Sequence, residues 1–167
     1  MRSVAWTDAL QAIIMMATSV FLLFFVIFTF FGGFNGFVAN IETSLPSHLT
    51  VKWPSNLFLG LSLPWFFFAL TNPQVTQRLF IPKNVGSMKN MVRGFMIFGL
   101  IYTIIVTLLG LAARSIEPDL EVADMAMPVL LSKISAPIAL LVFIGIVAAA
   151  ISTLNSIILT LSSMCSR

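Results

Sequence analysis

Long unbroken apolar runs dominate this chain. They stand at about 7–31, 55–72, 94–113 and 137–164, separated by short polar stretches. A helix needs about 20 apolar residues to cross the ~30 Å hydrocarbon layer of a bilayer. The pattern therefore predicts four transmembrane helices and an all-α membrane protein. Gly32-Gly33 and Asn35-Gly36 break the chain after the first run. The second run is unusual, because Pro64 lies in its middle and Asn72-Pro73 ends it. Proline removes one backbone donor and crowds the preceding turn. This span reads either as a broken helix lining a cavity, as transporters use, or as an ordinary proline kink. The chain has no short internal repeat, low-complexity tail or heptad pattern.

Composition agrees with the pattern. Hydrophobic residues make up 59% of the chain and charged residues 9%, against about 25% charged in soluble domains. One cysteine, Cys165, excludes an internal disulfide, and one histidine, His48, excludes a histidine metal site. The net charge of +3 gives no reason to expect nucleic acid as a partner. Its placement matters more. The segment 73–93 holds Arg78, Lys83, Lys89 and Arg93 and no acid, whereas 114–136 holds Glu117, Asp119, Glu121 and Asp124 against Arg114 and Lys133. Basic residues stay on the cytoplasmic side. The loop 73–93 is thus expected inside, together with Arg2 and Arg167, and the loops 32–54 and 114–136 outside. A short surface helix is expected near 122–133, perturbed by Pro128. The chain should be multi-pass in the cytoplasmic (plasma) membrane. No cleavable leader is expected, because the apolar run from 12 to 31 exceeds a signal core.

Few residues could carry chemistry. Ala149, Ser152 and Thr153 lie at i, i+3 and i+4 of the last run, on one helix face. A carbonyl and two hydroxyls there could hold a small hard cation, which prefers oxygen ligands. Equally, small and hydroxylated residues let membrane helices pack closely. Asp8 sits at the inner edge of the first span. It either marks an ion path or favours the positive end of a helix dipole. No metal-hydrolase spacing, nucleophile elbow or phosphate loop is present, so the chain is expected not to be an enzyme.

At these residues the sequence resembles the sodium:solute symporter family, which includes the sodium/proline, sodium/pantothenate and sodium/glucose transporters. Ser3 to Gln11, with Trp6-Thr7-Asp8, resembles the family's A-V-x-W/Y-T-D-x-x-Q motif. Asn72-Pro73-Gln74-Val75-Thr76-Gln77-Arg78 is similar to a short motif ending in Q-R or V-R at the cytoplasmic end of a helix. Asp124 to Leu131, with Pro128, resembles the external segment before the next span. Ala148 to Ser156 resembles the sodium-site helix with its S-T or S-S pair. The four segments come in the family's order and cover nearly the whole chain.

The resemblance implies the inverted-repeat fold of five plus five core helices, with these four spans as core helices five to eight. The chain is then expected to be a fragment of a larger transporter and to need the remaining helices, including the one that completes the sodium site. The resemblance further implies that the Ala149 carbonyl and the Ser152 and Thr153 hydroxyls ligate sodium. It places Asp8 on the ion's inward path and Trp65, Phe68, Asn72 and Pro73 on the solute-lining helix. Ala69 stands where the family's proline carriers have tyrosine, which argues against proline. The apolar Trp65-Phe66-Phe67-Phe68 stretch argues against a sugar. The expected function is sodium-coupled symport of a small organic solute, an amino acid or carboxylate before a sugar, across the lipid bilayer. Two alternatives stand beside it: a symporter-like membrane sensor of a signalling protein, and a proton-coupled carrier using Asp8.

Overall fold

A computed structural model describes residues 2–46, 50, 53–120 and 122–165, without the side chains of 2–5 and 69. His48, Glu121 and Arg167, the Arg2 side chain and the side chains of Ser3 to Ala5 in the first motif lie outside the described residues. Every regular element among the described residues is helical: α1 (Arg2–Phe31), α2 (Phe34–Ser44), α3 (Ser55–Thr71), α4 (Pro73–Leu79), α5 (Val85–Ile116), α6 (Ala126–Ser132) and α7 (Ala136–Cys165). A 3-10 turn, Ala123–Met125, leads into α6.

Three described helices are long and apolar enough to cross a membrane: Trp6–Phe31, Val85–Ile116 and Ala136–Cys165. The run at 55–72 forms the shorter α3, of 17 residues. At 1.5 Å per residue it reaches about 25 Å, at the short end of the lengths that cross a bilayer. Among the described residues there are thus three long apolar helices and this shorter one. The helix runs on through Pro64 and ends at Asn72, where the Asn72-Pro73 pair is expected to end it. Proline in a helix costs one hydrogen bond but does not by itself unwind an otherwise apolar segment.

Two loops are more ordered than their composition suggests. The stretch 32–54 contains α2, whose Phe34, Phe37, Val38 and Ile41 repeat at helical spacing. Phe37 and Ile41 are buried. Gly32 (φ 68°) and Gly33 (φ 123°) turn the chain between α1 and α2, in backbone conformations that a Cβ would resist. The Gly33 N–H donates to the Ile27 carbonyl at 3.1 Å, and the Gly33 carbonyl accepts from Phe37 N–H at 3.0 Å. The segment 73–93 is occupied by α4 and the first turns of α5, so Lys89 and Arg93 lie on a helix. Around 122–133 the 3-10 turn and α6 follow one another, and Pro128 falls in the first turn of α6, where its missing N–H has no partner to lose.

The chain divides into two compact units, residues 1–50 with 99–152, and residues 51–98 with 153–167. The first holds the buried core. Leu22, Leu23, Val26 and Ile27 of α1 meet Phe37 and Ile41 of α2, Leu45, Ile105, Leu109, Ala112 and Ala113 of α5, Leu130 of α6 and Val142 of α7. α1 and α5 each contribute a stripe at i, i+3 or i+4 spacing, and α7 a single residue. Polar ties join the ends of these helices: Ser115 with Asn40, an ion pair of Lys133 with Glu117, and Arg114 Nη1 donating to the Leu120 carbonyl at 2.7 Å. Only 22%, 17% and 17% of the three long apolar stretches is buried, which leaves most of their surface for lipid or for other helices.

Candidate functional site

Within the first unit α1 and α7 come together at two points. Near the α1 start, the Ser152 hydroxyl donates to Asp8 Oδ1 at 3.4 Å. Farther along, Thr18 packs against Gly145 so closely that any Cβ on Gly145 would collide with it. Position rises along α1 as it falls along α7, so the two run antiparallel. The α7 face involved carries Val142, Gly145, Ala148, Ala149 and Ser152, at helical spacing. Val142 and Ala148 are buried, and Ala149 and Ser152 half-buried. Thr18 and Ser19 keep their hydroxyls satisfied on the α1 backbone, Thr18 at the Ile14 carbonyl (2.9 Å) and Ser19 at the Met15 carbonyl (2.7 Å). The close approach is therefore steric, with no hydroxyl sacrificed to it.

This arrangement unites Asp8 and Ser152, which stand 144 residues apart in the sequence. Thr153 follows as an exposed residue of the second unit. Gln11 stands nearby in the sequence of α1. It lies one turn along α1 from Asp8, and its Oε1 is buried without a hydrogen-bond partner among the described residues. A buried carbonyl oxygen without a donor is costly, and it is an oxygen ligand that a hard cation could satisfy. Sequence reasoning quoted Gln11 only as a motif letter, because burial of one oxygen leaves no mark in a sequence. Asp8 of α1 and Ser152 of α7 thus bring a carboxylate and a hydroxyl together, with the Gln11 amide one turn away on α1. Oxygen groups of this kind suit a hard cation better than a transition metal.

The second unit holds the residues expected to line a solute path. Trp65 is 74% exposed, and its ring centroid lies 5.5 Å from that of Phe68. Ala69 belongs to α3, but its side chain lies outside the described residues. Asn72 ends α3 and begins α4. Its N–H donates to the Phe68 carbonyl at 2.9 Å, and its Oδ1 accepts from Gln74 N–H at 3.0 Å. The residue before a proline is pushed out of the helical region, and Asn72 sits at φ −88°, ψ 112°. Pro73 then opens α4, a position where its missing N–H is harmless. It leaves the Ala69 carbonyl without a helical donor, while Thr76 Oγ1 bridges the joint to the Asn72 carbonyl at 3.0 Å and the Leu70 carbonyl at 3.4 Å. The expected break is thus a capped joint between two helices.

The sequence matches the model of the sodium:solute symporter family over residues 1–167. The chain belongs to the sodium:solute symporter family. Comparison with curated proteins and with solved structures found no match. The family is one of transporters rather than enzymes, which makes this symporter a multi-pass membrane protein of a kind that couples sodium to solute movement across a bilayer. In the symporter the Asn72 cap should matter for local order. Asn72→Ala is expected to cost about 1 kcal/mol, seen as faster amide exchange confined to α4 with α1 and α7 unchanged.

Proposed function

We propose that the symporter moves sodium and a small organic solute together, with sodium held at α7 and the solute passing along α3 and α4. The observation that carries this reading is the meeting of Asp8 with Ser152. Sodium is cargo here, and its proposed ligands are the Ala149 carbonyl and the Ser152 and Thr153 hydroxyls, at i, i+3 and i+4 of α7, while Asp8 offers a compensating charge. Hard cations take more oxygen ligands than these three provide. The site is accordingly completed by other helices, and the chain acts as part of a larger transporter. In that assembly α1, α3 with α4, α5 and α7 stand for core helices five to eight of the five-plus-five inverted-repeat fold. Short or interrupted helices at the midplane are where such folds bind their cargo, which is the role given to Trp65, Phe68, Asn72 and Pro73.

The mechanism follows from charge and potential. One sodium ion entering down a 100 mV potential gains about 2.3 kcal/mol, enough to accumulate solute more than tenfold. Asp8, beside Ser152, draws the ion onward once the site opens inward. The orientation follows the basic segment 73–93, which faces the cytoplasm of a cell bounded by its plasma membrane. The favoured solutes are amino acids or carboxylates rather than sugars.

Uptake by the complete transporter in vesicles tests this. Imposed sodium, potassium and proton gradients would be compared across amino acids, carboxylates, pantothenate and sugars. Sodium-driven uptake is expected, and Thr153→Ala should raise the sodium concentration for half-maximal uptake about tenfold, the scale of one lost ligand hydroxyl. Uptake that follows the proton gradient and ignores sodium would sink the reading, and an absence of uptake with any gradient would favour a sensor.

A further inference from the structure

The Q-R pair near the end of α4 has no assigned role, yet it makes two side-chain bonds that tie α4 to α7 within the second unit. Gln77 Nε2 donates to Ser163 Oγ at 2.9 Å, and Arg78 Nη2 donates to Ser156 Oγ. Ser156 and Ser163 are seven residues apart, two turns on one face of α7. Gln77 and Arg78 are adjacent on α4, so the pair spans that face like two fingers. Ser163 also donates to the Thr160 carbonyl at 2.8 Å while it accepts from Gln77. Thr160 Oγ1 in turn donates to the Ser156 carbonyl at 2.8 Å.

The joint at Asn72 gives these bonds their meaning. A continuous helix would hold α4 by backbone bonds from the turn before it. Pro73 removes one of those bonds, and Asn72 leaves the helical region. The direction of α4 therefore depends on what its far end grips. Two of the groups it grips are the Ser156 and Ser163 hydroxyls. A single hydrogen bond to a hydroxyl contributes little net free energy, so each of these bonds forms and breaks at low cost. Ser156 lies one turn beyond Thr153, on the helix assigned to sodium.

We propose that Gln77 and Arg78 form a releasable latch, which fastens the end of the solute helix to Ser156 and Ser163 of the sodium helix. They are positioning residues for coupling. With the latch closed, α4 cannot swing about Asn72. With it open, α4 swings and the solute path opens without sodium. The role in coupling rests on the symport reading, but the latch itself does not.

Two measurements on the complete transporter separate the two. Spin labels on the native Cys165, which is exposed, and on Phe80→Cys report the distance between the end of α4 and the end of α7. A narrow distance distribution is expected in the parent, and a broad, longer one in Arg78→Ala and in Ser156→Ala. The double variant should look like either single one, and Arg78→Lys should restore the narrow distribution. Sodium-free downhill solute leak should rise about tenfold in the same two variants, the scale of one lost hydrogen bond to a charged group, and return with Arg78→Lys. An unchanged distance in both single variants overturns the latch, as does an additive double variant. A changed distance with unchanged leak keeps the latch and overturns its role in coupling. A parent whose uptake ignores sodium refutes the symport reading while the distance measurement still decides the latch.

Discussion

Asp8→Asn is expected to raise the sodium concentration for half-maximal uptake about a hundredfold while leaving the transporter folded. Asparagine keeps the shape and an acceptor oxygen but removes the charge. Two unit charges 4 Å apart interact by about 4 kcal/mol at an effective dielectric of 20. Asp8 is only half-buried, so about 2 to 3 kcal/mol is the realistic share, and this corresponds to roughly a hundredfold. Because Ser152 donates to Asp8, the two should not act independently. The double variant Asp8→Asn, Ser152→Ala should lose less than the sum of the single losses, the mark of groups serving one ion. Sodium titrations of initial uptake rate give all four corners of that cycle. Strict additivity, or an unchanged sodium requirement in Asp8→Asn, would remove Asp8 from the ion's path.

Gly145→Val should lower thermal stability in detergent by an amount matching about 2 to 3 kcal/mol. In an open helix the same change would help, since glycine is about 1 kcal/mol worse than alanine as a helix former and valine falls between. Here sterics win. The first added carbon alone would lie 2.9 Å from Thr18 Cβ and nearer still to its hydroxyl oxygen, and overpacking of this kind costs about 1 to 3 kcal/mol. Thr18→Ala should recover part of the loss, because it removes the hydroxyl and one methyl but not the Cβ. Gly110 is the control. A Cβ there meets nothing within 4 Å, so Gly110→Ala should be neutral or stabilising. Equal melting shifts for Gly110→Ala and Gly145→Val would mean that α1 and α7 do not approach as described.

These two sites differ in how far the sequence announces them. The long helices are plain in the hydrophobic pattern, because crossing lipid demands about 20 apolar residues and little else does. The joint at Asn72 is legible for a similar reason, since Asn-Pro constrains its own backbone. Pro64 leaves both a break and a kink open in the sequence, because the missing donor is a local defect through which the apolar helix can continue. The helix α2 is hidden by the glycines before it and within it, although Phe37 and Ile41 keep helical spacing. The order of short motifs is enough to read the family from the residues. Contacts across sequence distance are another matter. Nothing near Asp8 indicates that Ser152 will face it, and nothing near Gln11 indicates an oxygen left without a donor. Such facts arise from packing, and glycine at 145 is a trace of that packing visible only beside Thr18.

The acid-free basic segment has a consequence for how the protein is built into its membrane. No Asp or Glu occurs from residue 43 to residue 116, while Arg78, Lys83, Lys89 and Arg93 all fall within that interval. Carrying four such cations outward against a 100 mV potential, negative inside, would cost about 9 kcal/mol at roughly 2.3 kcal/mol each. In the proposed orientation, with this segment inside, an inverted insertion of α3 and α5 would therefore be disfavoured at synthesis. The membrane voltage that drives the ion would also proofread the topology of the protein that admits it.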